Sequence, residues 1–342
     1  MKNTLNITRR TILRVALLGA VAFACITGVQ PAFAKTSLML AVPDPIESSV
    51  GRAATRFAQL VDQKTDGQVQ FQVFADGVLF GRDQNSAVNQ LGAGALDGLI
   101  LASSVYASFE PKMNAISLPY LFANYDQLKA YLDGAPGQEL LASLERMNIK
   151  GMGFFLRTFR DVTTRDRAIT KASDFKGLTL RTPNNPLFVK LFQALGANPT
   201  PMAFSEVYSA LQLQVIEGQE NPVEVPYNNK FSEVQGQLNM TQHIADSFLL
   251  GLSSKAWGRI PAEYQGAVMD AANQMIKEHD AQEIQQEQEI VEKLQQQGMQ
   301  VNHFADGELE KVQKIARGIY GEFEDQIGAD FTKESIDFVN AH

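Results

Sequence analysis

The amino-acid sequence predicts a two-lobed α/β fold, and three features carry that prediction. At 342 residues the chain is longer than one ordinary core organises, so two compact parts are expected. Its early part alternates strand-like and helix-like segments, the order that builds a mostly parallel sheet covered by helices. Just beyond residue 157 a second set of elements begins, and an apolar run at 247–253 leads back to the first.

Each element has its own local reason. Leu38 to Val42 is apolar enough for a buried strand, which Pro43-Asp44-Pro45 ends. Val50, Ala53, Ala54, Phe57, Leu60 and Val61 recur at helical spacing, and Thr65-Asp66-Gly67 stops that helix. From Gln68 to Val73 the chain alternates strictly, with Val69, Phe71 and Val73 on one face, which is a strand. A turn at Asp76-Gly77 precedes a helix from Gln84 to Leu91, and Gly98 to Ala102 reads as another buried strand. Helices are expected near 125–132 and 138–147, and a strand over Ile149 to Phe155.

In the second part Arg181 ends a short apolar run. Asn185 then caps a helix opened by Pro186, Ser205 is placed to cap a helix carrying Val207, Ala210 and Leu211, and Gln-Glu-Asn-Pro at 219–222 reads as a polar corner. Between Pro261 and Gln297 the only glycine is Gly266, and apolar positions recur from Val268 to Leu294. One helix or a pair of unusual length is expected there, ended by Gly298.

The first 34 residues read as an export leader. TRRTILR at 8–14 is a twin-arginine pattern, an apolar stretch from Val15 to Val29 follows, and Ala32-Phe33-Ala34 offers the small residues a signal peptidase needs, predicting cleavage after Ala34. An uncleaved membrane anchor and a lipid-modified Cys25 are the competing readings. The leader holds four of the 30 basic residues and none of the 38 acidic ones, so its removal takes the formal charge from −8 to −12. That balance argues against nucleic acid or an anionic membrane as partner. The single cysteine leaves with the leader, which suits an oxidising compartment.

Absences narrow the chemistry. The sequence has no phosphate-binding Gly-Lys loop, no Gly-x-Ser-x-Gly elbow and no His-Glu-x-x-His, and its four histidines are scattered. No enzyme activity, cofactor or metal is expected. Arg181 and Asn221 instead suit a carboxylate: the guanidinium offers a planar fork that stays charged, and the amide adds a donor without charge. A salt bridge to an acid of the same chain is the competing reading for Arg181. Phe204, Asn184 and Tyr227 are candidate cleft residues, with packing and turn formation as their alternatives. Asp44, Glu47, Arg82 and Asp83 fall in loops after strands, where they could bind hydroxyl groups or simply be solvated.

The run GANPTPMAFSEVYSAL, followed by GQENP and KFSEVQ, resembles the solute-binding proteins of TRAP transporters, the DctP-type family. The resemblance extends from LMLAVPDP near the start of the exported chain to GIYGEFEDQIG near its end. It implies a two-lobed periplasmic binding protein fold, a type II-like Venus flytrap with a long helix across both lobes. One lobe would hold 35–157 and about 247–286, the other about 158–246 and 287–342. By the same resemblance Arg181 is the main carboxylate anchor, Arg160 a second one in competition with Arg157, Asn221 a further contact, and Glu220 an acid that orients an arginine. The implied partners are a small organic acid and the small and large integral-membrane permease subunits, with the receptor a monomer in the periplasm. Where sialate-binding relatives carry a glutamate this chain has Ala102-Ser103, which favours a smaller hydroxylated acid such as an aldonate or uronate over sialate. A C4-dicarboxylate receptor, a ligand sensor and a periplasmic enzyme on sugar acids are the alternatives.

Overall fold

The computed structural model describes residues 35–342, so the export leader lies outside the described residues. In chain order the first elements are β1 (Thr36–Ala41), α1 (Ser49–Lys64), β2 (Val69–Phe74), α2 (Gln84–Gly92) and β3 (Gly98–Ala102). Helices α3 (Tyr125–Asp133) and α4 (Ala135–Ser143) lead to β4 (Ile149–Thr164). Next come β5 (Thr179–Thr182), α5 (Pro186–Ala194), β6 (Asn198–Pro201), α6 (Val207–Gln212), β7 (Gly218–Pro222), α7 (Glu224–Asn228) and β8 (Gln237–Ser253). The chain finishes with α8 (Ala262–Gln296), β9 (Gln300–Asn302), α9 (Glu308–Arg317) and α10 (Ala329–Ala341).

The strands form one nine-stranded sheet in the order β2-β1-β3-β8-β4-β7-β5-β6, with β9 beside β8. It is mixed rather than mostly parallel. Pairs β1–β2, β1–β3, β5–β6 and β5–β7 are parallel, whereas β8 runs antiparallel to β3 and β4, and β4 antiparallel to β7. The antiparallel centre comes from β4 and β8, which are 16 and 17 residues long, far beyond the short apolar cores the sequence displays for them. Their outer portions pair with β3 on one side and β7 on the other. Between Leu156 and Phe159 only β8 flanks β4, so the sheet narrows there to a two-stranded neck.

Local signals explain most elements. The Ser48 hydroxyl accepts from the Gly51 amide at the start of α1, and the Asn185 side chain does the same for Leu187 at the start of α5. Ser205 caps nothing: it lies within a 3₁₀ turn, and α6 follows without a side-chain cap. The Gln-Glu-Asn-Pro corner is in fact part of β7, wholly buried between β4 and β5. Gly218 opens it where a Cβ would stand 2.3 Å from the Thr163 carbonyl oxygen, so only glycine lets the two backbones approach.

Apolar packing lies on both faces. One cluster gathers Leu38, Phe57, Phe71, Phe155 and Phe248 under α1 and the first half of α8. A second runs from Leu91 and Tyr131 to Phe175, Phe188 and Phe192. Full burial of one such phenylalanine contributes about 1.5–3 kcal/mol. The single 35-residue helix α8 touches both halves of the sheet, through Arg56 to Glu278 near α1 and through Val291 and Leu294 against Val223 and Leu238. It presses on β4 at Gly153, whose φ is 155° and where a Cβ would meet Ile276 at 2.5 Å. Helix α10 docks back on α3, with the Tyr131 and Ser335 hydroxyls 2.7 Å apart. Among the described residues no helix is long and apolar enough to cross a membrane.

Candidate functional site

The neck collects the charges. In a regular strand residues three apart face opposite sides, so Arg157 and Arg160 should diverge. They do not, because three steps along β4 from Arg157 to Arg160 match two along β8 from Asp246 to Ile244, a β-bulge that turns both side chains the same way. Both guanidiniums reach Asp246 Oδ2, Arg157 Nη1 at 3.0 Å and Arg160 Nη1 at 2.7 Å.

Arg160 is then saturated with acid. It forks onto Glu220 through Nε at 2.6 Å and Nη2 at 2.8 Å, and Nη2 also donates to Asn221 Oδ1 at 3.0 Å. Burial pushes the Glu220 carboxyl up, but the Arg160 charge and hydrogen bonds from His243 and Arg160 more than offset it and hold Glu220 below its usual range. Burial likewise keeps His243 below its ordinary value. As a neutral ring its Nε2–H donates to Glu220 at 3.1 Å and its Nδ1 accepts from the Thr241 hydroxyl at 2.9 Å. Arg157 completes the network through Nε to Glu224 at 2.9 Å, its guanidinium 4.6 Å from the Phe248 ring centre.

Arg181, on β5, stands apart. It is only 4% exposed, yet among the described residues no carboxylate lies within ion-pair distance. Nε and Nη2 both donate to the Met202 carbonyl oxygen, at 3.1 and 2.8 Å, and Phe204 lies beside it with its ring centre 5.8 Å away. Burial, opposed by attraction to Glu220 and aided by a weaker repulsion from Arg160, lowers its pKa to about 10, so it remains charged at neutral pH. A buried guanidinium with free donors is costly until an anion meets it.

Arg157, Arg160, Arg181, Asn221, Phe204 and Asp44 line one cavity of about 40 Å³. It adjoins a wider space of about 250 Å³ through shared Asp44, Gln84 and Phe204. Arg82 belongs to that outer space, exposed at its rim. The Asn221 carbonyl is taken by Arg160 and one amide hydrogen by Gln219 at 2.6 Å, leaving a single N–H for anything else. The remaining candidates fall elsewhere. Asn184 is exposed at the start of α5, where its carbonyl accepts from Ser108, and it borders a different surface hollow. Tyr227 and Glu47 line a crevice of about 450 Å³ against α8. A loop position alone does not fix the direction of a side chain.

Sequence reasoning missed Asp246, Glu224 and His243. Asp246 carried a usable signal, an acid inside the apolar run Ile-Ala-Asp-Ser-Phe-Leu-Leu, where a charge must find a partner. Nothing in the spacing of the other two pointed to the neck.

Comparison with known proteins identifies the family. Residues 43–326 match the DctP family, bacterial extracellular solute-binding proteins of family 7. The 2,3-diketo-L-gulonate-binding periplasmic protein YiaO of Escherichia coli is 31% identical over 249 residues, 73% of this chain and 75% of YiaO. The crystal structure of the sugar acid binding protein of Advenella mimigardefordensis in complex with galactonate superposes with a TM-score of 0.86 at 26% identity, covering 90% of this chain and 98% of that one. A TRAP periplasmic solute-binding protein of Sulfurospirillum deleyianum with bound succinate gives 0.83 at 25% identity, over 88% and 98%. With two lobes, a sheet pinched between them and a long helix across both, the chain belongs to the DctP family of solute-binding proteins, the substrate receptors of TRAP transporters.

Proposed function

We propose that this receptor captures a hydroxylated sugar acid, an aldonate or uronate, in the periplasm and hands it to the small and large permease subunits of its transporter. The observation that carries this reading is the uncompensated, buried Arg181 beside two arginines whose own acids already satisfy them. A carboxylate fills that electrostatic gap with a forked pair. The inner cavity of about 40 Å³ has room for about three waters, which is carboxylate-sized, so the remainder of the acid extends past Phe204 into the outer space.

Elements from both halves of the sheet line the cavity: β1 and β3 bring Asp44 and Ala102, while β5 and β7 bring Arg181 and Asn221. Ligand contacts made by both halves at once favour the closed arrangement over an open, hydrated one, a population shift about the neck. Lobe division near residues 157 and 247 accords with such a movement, and α10 straps the C-terminal segment to α3. The leader with cleavage after Ala34 would deliver the receptor to the periplasm.

A thermal-shift screen of aldonates, uronates and C4-dicarboxylates tests the reading. A bound acid at a hundred times its Kd stabilises by about 2.7 kcal/mol. Sugar acids are expected to raise Tm, and a screen in which only dicarboxylates do so overturns the ligand class.

A further inference from the structure

Resting on the reading of Arg181 as carboxylate anchor, we infer that Asp44 is a specificity-determining residue that selects guests carrying one carboxylate and an uncharged, hydroxyl-bearing far end. Asp44 lies between Pro43 and Pro45 just after β1, and its carbonyl accepts from the Asp76 amide at 3.0 Å, which fixes the turn. It is 8% exposed and lines both the inner cavity and the outer space, so it meets a guest where the guest leaves Arg181 and runs outward. Among the described residues its carboxylate has neither an ion pair nor a hydrogen-bond donor, although it is buried. A carboxylate in that condition accepts a hydrogen bond from any hydroxyl placed before it.

The charge count points the same way. Arg157, Arg160 and Arg181 face Glu220, Glu224 and Asp246 around the inner cavity, three against three, so the framework is neutral before Asp44 is counted. One carboxylate at Arg181 is tolerated because that cation alone lacks a contact partner. A second carboxylate in the outer space would meet Asp44 there. Arg82 sits at the same rim but is exposed, and the equally exposed Asp76 offsets it. Burial first, and then the charge of Glu224 opposed by that of Arg157, pushes the Asp44 carboxyl up to about 6. At neutral pH it is still mostly ionised and still repels.

The experiment is calorimetric titration at pH 7.5 with two matched pairs, erythronate against meso-tartrate and galactonate against galactarate, for the wild type, Asp44→Asn and Asp44→Ser. The wild type is expected to bind the monoacid of a pair at least tenfold tighter than its diacid. In Asp44→Asn that ratio should fall to within about threefold, chiefly because the diacid gains. An unchanged ratio in whichever of the two variants folds, or a wild type that binds the diacid as tightly, overturns the role of Asp44 while leaving Arg181 as anchor. If the wild type binds none of the four acids, or if Arg181→Ala binds them as well as the wild type does, the underlying reading fails and the inference falls with it.

Discussion

Arg160 and Arg181 are equally buried, at 3% and 4% exposure, and both border the same cavity, yet they live in opposite electrostatic conditions. Arg160 is held by Glu220, Asp246 and Asn221; Arg181 has one backbone carbonyl. A buried charge with its counter-ions in place serves the scaffold, because either half of the pair is intolerable alone. A buried charge without them is poised for a partner from outside. The acids repeat the contrast. Glu220, beside Arg160, is held below its usual range, whereas Glu283 has the Ser49 hydroxyl and the neutral His279 for company and is pushed up to about 8, by burial first and then by the charge of Glu224.

The comparison breaks most visibly at Arg160. Arg160→Ala would strand Glu220 without its arginine and leave Asp246 to Arg157 alone, at a cost of about 3–5 kcal/mol in folding stability. Urea denaturation of the ligand-free protein measures it, and a loss below about 1 kcal/mol would mean the pairing does not hold the neck together. Arg181→Ala should do the reverse. It is expected to weaken binding of the proposed sugar acid by about 2–5 kcal/mol, the range for removing one partner of a buried charged contact. Arg181→Lys should recover only part of this, since it keeps the charge and loses the fork. The ligand-free Arg181→Met protein, freed of an unpaired cation, is expected to melt no lower than the wild type. Calorimetry and thermal melts read the two sides separately, and a destabilised variant of unchanged affinity would place Arg181 with Arg160.

A third substitution site sharpens the acid side. The folded pKa of Glu283, about 8, is above its unfolded value of 4.5, so its contribution to stability is complete below pH 4.5 and erodes as the pH rises toward the folded value. Glu283→Gln keeps an acceptor for Ser49 and removes the titration. Its melting temperature relative to the wild type should therefore rise between pH 5 and pH 8.5, and a flat difference would show that Glu283 is already ionised in the fold.

Much of this molecule is legible from its residues. Strands β1 to β3 and helix α1 lie within two residues of their expected limits because their apolar spacing is regular and Thr65-Asp66-Gly67 stops the helix plainly. Arg181 was legible because a cation at the end of an apolar strand, next to a Pro-Asn-Asn turn, has few places to go. Arg157 and Arg160 were not, since strand periodicity makes them rivals for one role and only the bulge makes them partners. Strand β7 looked like a corner because polar residues mark turns, and nothing local shows that Thr163 and Arg160 of β4 satisfy them across the sheet. Asp246 and Glu220 join β4 from 86 and 60 positions along the chain, a distance no motif spans.

A ribbon of two strands can bend and coil at little expense, but it cannot slide without breaking its ladder. Because the sheet is that narrow between Leu156 and Phe159, movement there is restricted to flexing and twisting. The same few residues carry the bulge that aims Arg157 and Arg160 at Asp246. Any flexing of the joint therefore tugs on its own ionic clasp, so the residues that line the cavity are also the ones that resist its bending.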